Sequence, residues 1–352
     1  MRAVKLFAVL RLVVVLVLGA SLLACSKAPL TQQEAYVFGT RVEVLVAGTP
    51  EAEARAAMAE LLQEFDRLHR TYHAWQDSDL TRLNAGLAAG KARPVSPELK
   101  ALLQDARDLA ARGQWLFEPG IGNLVDLWGF HSEEFKPVLP DLQRARFLAA
   151  AKPSLRFLEF KGNLVSSTNP ALAIDLGGYL KGVALDRAAA MLKSRGIHNA
   201  LINIGGNVMA LGNKNGDPWR VGIQHPRQPG PLASLELHDG EAIGTSGDYQ
   251  RYFELEGKRY SHLIDPRSGM PAQGTQAVTV LIPPGDKAGM LSDALSKPLF
   301  IAGAADWLQL AQANGVTQVL RVDASGAIAV TRALEGRLKW TDGVKPASVL
   351  AP

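Results

Sequence analysis

Cysteine is almost absent from this chain: Cys25 is the only one in 352 residues. A disulfide framework and a thiolate metal site are therefore excluded, and so is a cysteine nucleophile in the body behind residue 25. Long hydrophobic runs are also missing. The one apolar stretch, residues 12–23, is roughly a dozen residues, short of the ~20 a membrane-spanning helix needs. Nor is there an excess of one charge. Lys and Arg total 38 against 34 Asp and Glu; setting aside Arg2, Lys5 and Arg11 at the start leaves 35 against 34. That balance gives no basic patch for nucleic acid. No fixed-period repeat and no low-complexity tract interrupts the sequence. The body of roughly 328 residues exceeds the usual size of one core, so two lobes or one elaborate domain are expected.

What is present begins with a leader. Residues 1–11 are basic with no acid, residues 12–23 are apolar, and the run closes on Leu22-Leu23-Ala24-Cys25. This is a basic, apolar, small-residue order typical of an export signal, and its end resembles a bacterial lipobox with Cys25 at the lipidated position. Residues 1–24 are read as a lipoprotein signal peptide and 25–34 as a tether. Residues 35–342 are read as the folded body and 343–352 as a tail. Two or more acyl chains anchor stably where one does not. The chain is thus expected to be exported and lipid-anchored at Cys25, facing the periplasm. Ser26 hints at the outer membrane, but the inner one is left open.

Along the body, residues 36–46 alternate like a strand. Residues 51–72 carry Met58, Leu61, Leu62, Phe65 and Leu68 at helical spacing, which predicts a helix. Another is expected over 97–112, opened by Ser96 and closed by Gly113, and a third over 141–150. Further helices are read at 179–194, 287–299 and 304–314. Strands are read at 200–204, 219–224, 234–237, 277–282 and 316–322. Interleaved strands and helices predict an α+β fold with mixed or antiparallel sheets packed by helices.

Three loop-rich stretches concentrate glycine, aromatic and ionisable residues: 115–130; 174–186 with 204–207; and 244–249 with 260–269. In the second, Asp175 ends a strand, Gly177-Gly178 turns, and Lys181 enters a helix. Backbone N–H groups at such a start can receive phosphate oxygens, with Lys181 as a point charge. Alone this is a weak signal, and its spacing matches neither a Walker A loop nor a Rossmann fingerprint. In the third, His262 lies between Ser261 and Asp265-Pro266, where an imidazole could act as base toward a hydroxyl or simply pack as a hydrogen-bonded core residue. The other six histidines have no comparable surroundings.

Taken in order, these stretches with Phe38-Gly39-Thr40, residues 75–84 and Ser292-Asp293-Ala294-Leu295-Ser296 resemble the FAD:protein FMN transferases over roughly residues 36–340. The resemblance implies an FAD site between the lobes. It also implies attack by a threonine or serine hydroxyl of an acceptor protein on the phosphorus on the FMN side, with AMP leaving and Mg²⁺ commonly bridging the phosphates. Position by position it implies Phe38 and Trp75 as ring contacts to FAD, with Leu116, Phe117 and Glu118 lining the flavin site. Asp175 and Lys181 would bind polar groups, and Leu263 and Ile264 would lie beside the cofactor. His262 would be the base or a phosphate-positioning residue. Gly178, Asp293 and Ser296 would surround the metal, together with position 297. The implied acceptors are membrane redox subunits carrying covalent FMN.

The chain departs from that pattern twice. Lys297 stands where the family has a threonine metal ligand, and a protonated ammonium has no lone pair to give. Either Lys297 enters the site and neutralises the diphosphate itself, or it points outward and Ser296 or water completes the metal shell. Asn207 replaces an acid after Ile204-Gly205-Gly206 and could still hydrogen-bond a ribityl or ribose hydroxyl. Two other functions remain compatible with the residues: an FAD pyrophosphatase that uses water as nucleophile, and a flavin-binding lipoprotein without turnover.

Overall fold

The computed structural model describes residues 29–351; Cys25 and the leader lie outside them. Its backbone is a nine-stranded sheet whose strand order follows chain order. The strands are β1 (Leu30–Val37), β2 (Thr40–Ala47), β3 (Ala200–Ile204), β4 (Asn207–Leu211), β5 (Ala242–Gly247), β6 (Thr275–Ile282), β7 (Val319–Asp323), β8 (Ile328–Thr331) and β9 (Ser348–Leu350). Neighbours are antiparallel except the last pair, β8 and β9, which is parallel. The α+β expectation holds.

The helices are α1 (Glu51–Thr71), α2 (Asp79–Ala88), α3 (Pro97–Arg112), α4 (Gly122–Leu127), α5 (Leu142–Ala150), α6 (Leu180–Ser194), α7 (Ala288–Ala313) and α8 (Arg332–Glu335). Helix α1 turns Ala54, Met58, Leu61, Phe65 and Leu68 inward, with Glu51 and Glu53 in its first turn and Arg70 in its last, as the helix dipole favours. The predicted cap of α3 is present: the Leu99 N–H donates to Ser96 Oγ at 3.1 Å. Helix α7 contains a break at Gly303 (φ 75°, ψ −166°), so the two helical runs read from the sequence are two segments separated there.

One face of the sheet carries the main core, in which α1, α6 and α7 bury Phe65, Leu68, Leu185, Leu192, Leu295 and Phe300. The other face is covered by a small sheet of residues 219–224, 231–237 and 339–340, packed through Trp219, Ile223 and Leu235. A third, smaller cluster joins Leu124 of α4, Trp128, Phe130, Leu148 of α5, Phe253 and Ile264.

Three expectations are corrected. The single strand over 36–46 is a hairpin, because Phe38 (φ 56°) and Gly39 (φ 66°) both take left-handed geometry and reverse the chain. That is the two-residue turn whose twist suits antiparallel strands. Leu30–Gln33, assigned to the tether, already pair in β1. The assigned tail contains β9, whose Val349 pairs with Val330.

Helices α6 and α7 meet unusually closely. A Cβ on Gly182 would stand 2.4 Å from the Gly289 carbonyl oxygen and 2.8 Å from Asp293 Cβ, so only glycine admits this approach. Behind it, Asp186 accepts from the Gly289 and Met290 N–H groups at 2.7 and 2.9 Å. These bonds fix the start of α7 against α6.

Candidate active site

One end of the sheet gathers the turns. Phe38-Gly39 lies beside Gly205-Gly206, the hairpin between β3 and β4. A Cβ on Gly205 would meet Thr40 Oγ1 at 2.6 Å, so the second position of Ile204-Gly205-Gly206-Asn207 must be glycine for the two turns to pack. Asn207 follows, buried, with its Nδ2 unpartnered among the described residues. A buried amide without a partner is costly, and a bound hydroxyl or phosphate oxygen would relieve it.

Against this end α7 presents Asp293, almost fully buried. Its Oδ2 accepts from the Gly182 N–H at 2.9 Å and its Oδ1 from Lys297 Nζ at 2.6 Å. Lys297 Nζ also donates to the Asp293 carbonyl oxygen at 2.7 Å. Burial alone would raise the Asp293 carboxyl, but Lys297 and Lys181 outweigh it and hold the group below the usual carboxylate range. Ser296 Oγ donates to the same carbonyl at 2.9 Å and meets Ser246 Oγ at 2.8 Å. Gly178 faces both Phe117 and the Lys297 stem: a Cβ there would be 3.1 Å from Phe117 Cε2 and 3.4 Å from Lys297 Cε. Lys297 therefore points inward, as the first of the two readings required.

His262 stands near these lysines. Its Nδ1 is 3.1 Å from the Arg251 carbonyl oxygen. A carbonyl only accepts, so Nδ1 carries the proton and Nε2 keeps its lone pair. Burial, then the positive charges of Arg251, Lys181 and Lys297, push the imidazole pKa down to about 3. At neutral pH the ring is an uncharged acceptor.

Asp175 is bound by the Gly177 N–H at 2.7 Å and by His131 Nε2 at 3.0 Å. Burial raises its carboxyl, yet His131, Gly177 and Arg251 prevail and its pKa falls. Trp75 stacks on His131 with centroids 4.9 Å apart and planes 20° apart. Arg251 lies over the Trp75 ring at 5.9 Å while donating to the Phe130 carbonyl at 2.7 Å. A hollow of about 300 Å³, lined by Trp75, Asn84, Asp126, His131 and Ile174, opens here. A larger one, about 470 Å³, lies by Arg227, Asp248 and Ser261; it is backed by a bidentate Arg227–Asp248 pair.

The structure thus brings Phe117, Gly178, Asp293, Ser296 and Lys297 together, with Lys181 and His262 near enough to feel the same charges and Asp175 held beside Arg251. Phe38 packs edge-on to His69, 5.6 Å away, at the sheet end. Leu116, Leu263 and Ile264 are buried, Leu263 in the main core and Ile264 in the smaller cluster. Glu118 is tied inward: its Oε1 accepts from the Gly120 and Leu155 N–H groups at 2.9 and 3.0 Å, which folds its own loop. Its Oε2 has no hydrogen-bond partner among the described residues. Sequence reasoning missed two residues. His131, grouped with the unremarked histidines, is the partner of Asp175; its proximity to the Trp128-Gly129-Phe130 segment was the available signal. Arg251, two residues beyond Thr245-Ser246-Gly247-Asp248-Tyr249, was the other.

The sequence model of the ApbE family matches residues 38–320. The chain belongs to the ApbE family. Among similar ApbE-family proteins, one from Rhodobacter capsulatus, named FAD:protein FMN transferase, is 44% identical over 323 residues, 92% of this chain. The chain spans 61% of that relative's length. A Vibrio cholerae protein of the same name is 34% identical over 265 residues, covering 74% of this chain and 77% of its own. Solved ApbE structures superpose closely. The Thermotoga maritima ApbE protein gives a TM-score of 0.80 at 28% identity, covering 88% of this chain and 99% of that one. The Vibrio cholerae flavin transferase gives 0.75 at 28% identity, covering 88% and 100%.

The donor set around Asp293 does not fit a divalent ion. Both carboxylate oxygens are engaged, the neighbouring Ser296 hydroxyl is turned to a carbonyl and to Ser246, and an ammonium stands where a ligand oxygen is needed. Magnesium prefers near-octahedral oxygen coordination, and Lys297 offers it only positive charge.

Proposed function

We propose that the chain is an FAD:protein FMN transferase that joins FMN to a threonine or serine hydroxyl of an acceptor protein and releases AMP. The observation that carries this reading is His262, whose Nδ1–H is held on the Arg251 carbonyl so that Nε2 keeps its lone pair within the field of Lys181 and Lys297. The family names of its relatives support FAD as substrate.

In this reading Trp75, Phe38, Phe117, Leu116, Leu263 and Ile264 supply apolar and ring surface to the two ring systems. Asp175, positioned by His131, and Asn207 bind polar groups, while Lys181 faces the diphosphate. The acceptor hydroxyl oxygen forms a bond to the phosphorus on the FMN side, and its proton goes to His262 Nε2. The bond from that phosphorus to the bridging oxygen breaks, and the oxygen leaves with AMP. Positive charge near the developing phosphate charge is the main contribution the site can make.

The test is incubation with FAD and an acceptor domain. The expected result is flavin fluorescence on the acceptor band after denaturing electrophoresis, with equimolar AMP. Free FMN with an unlabelled acceptor would mean a pyrophosphatase; intact FAD would mean a binding protein. The acceptors proposed are membrane redox subunits on the outer face of the inner membrane. A lipid at Cys25 would confine the enzyme beside them and raise its effective concentration. Cys25→Ser is expected to move the protein from the membrane to the soluble fraction while purified activity is kept. A protein that stays membrane-bound after the substitution would sink the anchor.

A further inference from the structure

We infer that Lys297 is a resident cation that does the work of a divalent metal, so that FAD is bound and FMN transferred without one. The inference rests on the FAD reading above. Four observations lead to it. Lys297 Nζ makes two short bonds to Asp293, one to Oδ1 at 2.6 Å and one to the carbonyl oxygen at 2.7 Å. The remaining carboxylate oxygen of Asp293 is closed off by the Gly182 N–H at 2.9 Å, and that bond is set by the glycine-only contact of α6 with α7. The pair is secluded, with 11% of the Lys297 side chain and 1% of the Asp293 side chain accessible. The lysine stem lies against Gly178, on the turn that leads into Lys181.

Chemistry assigns the role. An ammonium has three donors; two are spent on Asp293, and the third is available to an oxygen of the incoming diphosphate. Asp293 cancels one of the two lysine charges, so the pair Lys181 and Lys297 presents a net single positive charge to a doubly charged group. The carboxylate fixes the ammonium rather than the substrate, holding a point charge where charge develops on the leaving phosphate. A divalent ion brought to the same carboxylate would have to displace the ammonium or stand against it.

The test measures FAD affinity, by flavin fluorescence, and acceptor labelling, each in a chelator and in excess Mg²⁺, for the parent protein and Lys297→Thr. The parent is expected to bind and transfer within about twofold in both conditions. Loss of a charge-assisted bond should weaken FAD binding by Lys297→Thr in chelator by about tenfold or more, with Mg²⁺ restoring much of it. A parent protein that loses tenfold or more of its FAD affinity in chelator overturns the inference, and this arm needs no variant to fold. A Lys297→Thr protein indistinguishable from the parent in both conditions also overturns it. Metal-independent FAD binding without labelled acceptor would defeat the transferase reading while supporting the role of Lys297. No FAD binding in either condition would defeat both.

Discussion

Replacing His262 with alanine is expected to cut acceptor labelling by about 100- to 10,000-fold, the usual contribution of a positioned base. FAD affinity should change little. Among the described residues the side chain's one hydrogen bond goes to the Arg251 carbonyl, and that carbonyl keeps the His262 backbone N–H at 3.0 Å in the variant. Labelling rates with FAD affinity from fluorescence separate the two effects; a variant that labels at the parent rate would remove His262 from the chemistry. The pH profile adds a second reading. Burial and three neighbouring cations lower the His262 pKa to about 3, so the unprotonated, working form is lost only as pH falls toward that value. The profile of kcat/KM, which reports the free enzyme, should show no acid limb from this group between about pH 5 and 7. Once the negative diphosphate is bound it offsets Arg251, Lys181 and Lys297, so the acid limb of kcat should lie at higher pH. An acid limb near the ordinary histidine value in kcat/KM, absent from His262→Ala, would contradict this.

Asp293→Ala carries the second large effect. It leaves the Lys297 ammonium in a secluded place without its carboxylate and frees the Gly182 N–H. Breaking a buried pair from one side costs about 3–5 kcal/mol, and the midpoint of urea unfolding should fall accordingly. The double variant Asp293→Ala with Lys297→Met should recover much of that loss, since no charge is then stranded. A single variant as stable as the parent, or a double variant no better than the single, would show that the pair is not seated as described.

Much of this is legible in the sequence, and the parts that are not have physical reasons. Helix α3 announced itself because Ser96, Pro97 and Gly113 act locally. Lys297 and Asp293 are one helical turn apart, so their pairing followed from spacing. The hairpin at Phe38 was hidden because a phenylalanine seldom takes positive φ, and the apolar alternation runs straight through the reversal. Strand β9 was lost in the tail because its hydrogen bonds come from β8, not from its own composition. Helix α2 carries a local signal of its own, the reciprocal cap between Ser78 and Thr81, inside a segment whose spacing otherwise resembles a ligand-binding loop. The partnership of His131 with Asp175 spans 44 residues, and periodicity does not reach that far. Glu118 spends one oxygen on the backbone of its own loop, a local use that its position in the motif does not announce.

The strands of the large sheet lie side by side in the order in which they occur along the chain. One seam in that order is not local: Val42 of β2 pairs with Ile204 of β3, so the β1–β2 hairpin joins the rest of the sheet only after the whole helical region between them has been made. The candidate site draws on two parts of the chain. It takes Phe117, Asp175, Gly178 and Lys181 from the middle, and His262, Asp293, Ser296 and Lys297 from the final third. Its floor is complete only when α7 docks on α6 through Gly182 and Gly289. The candidate site is therefore a part of the molecule that needs the whole chain to be in place.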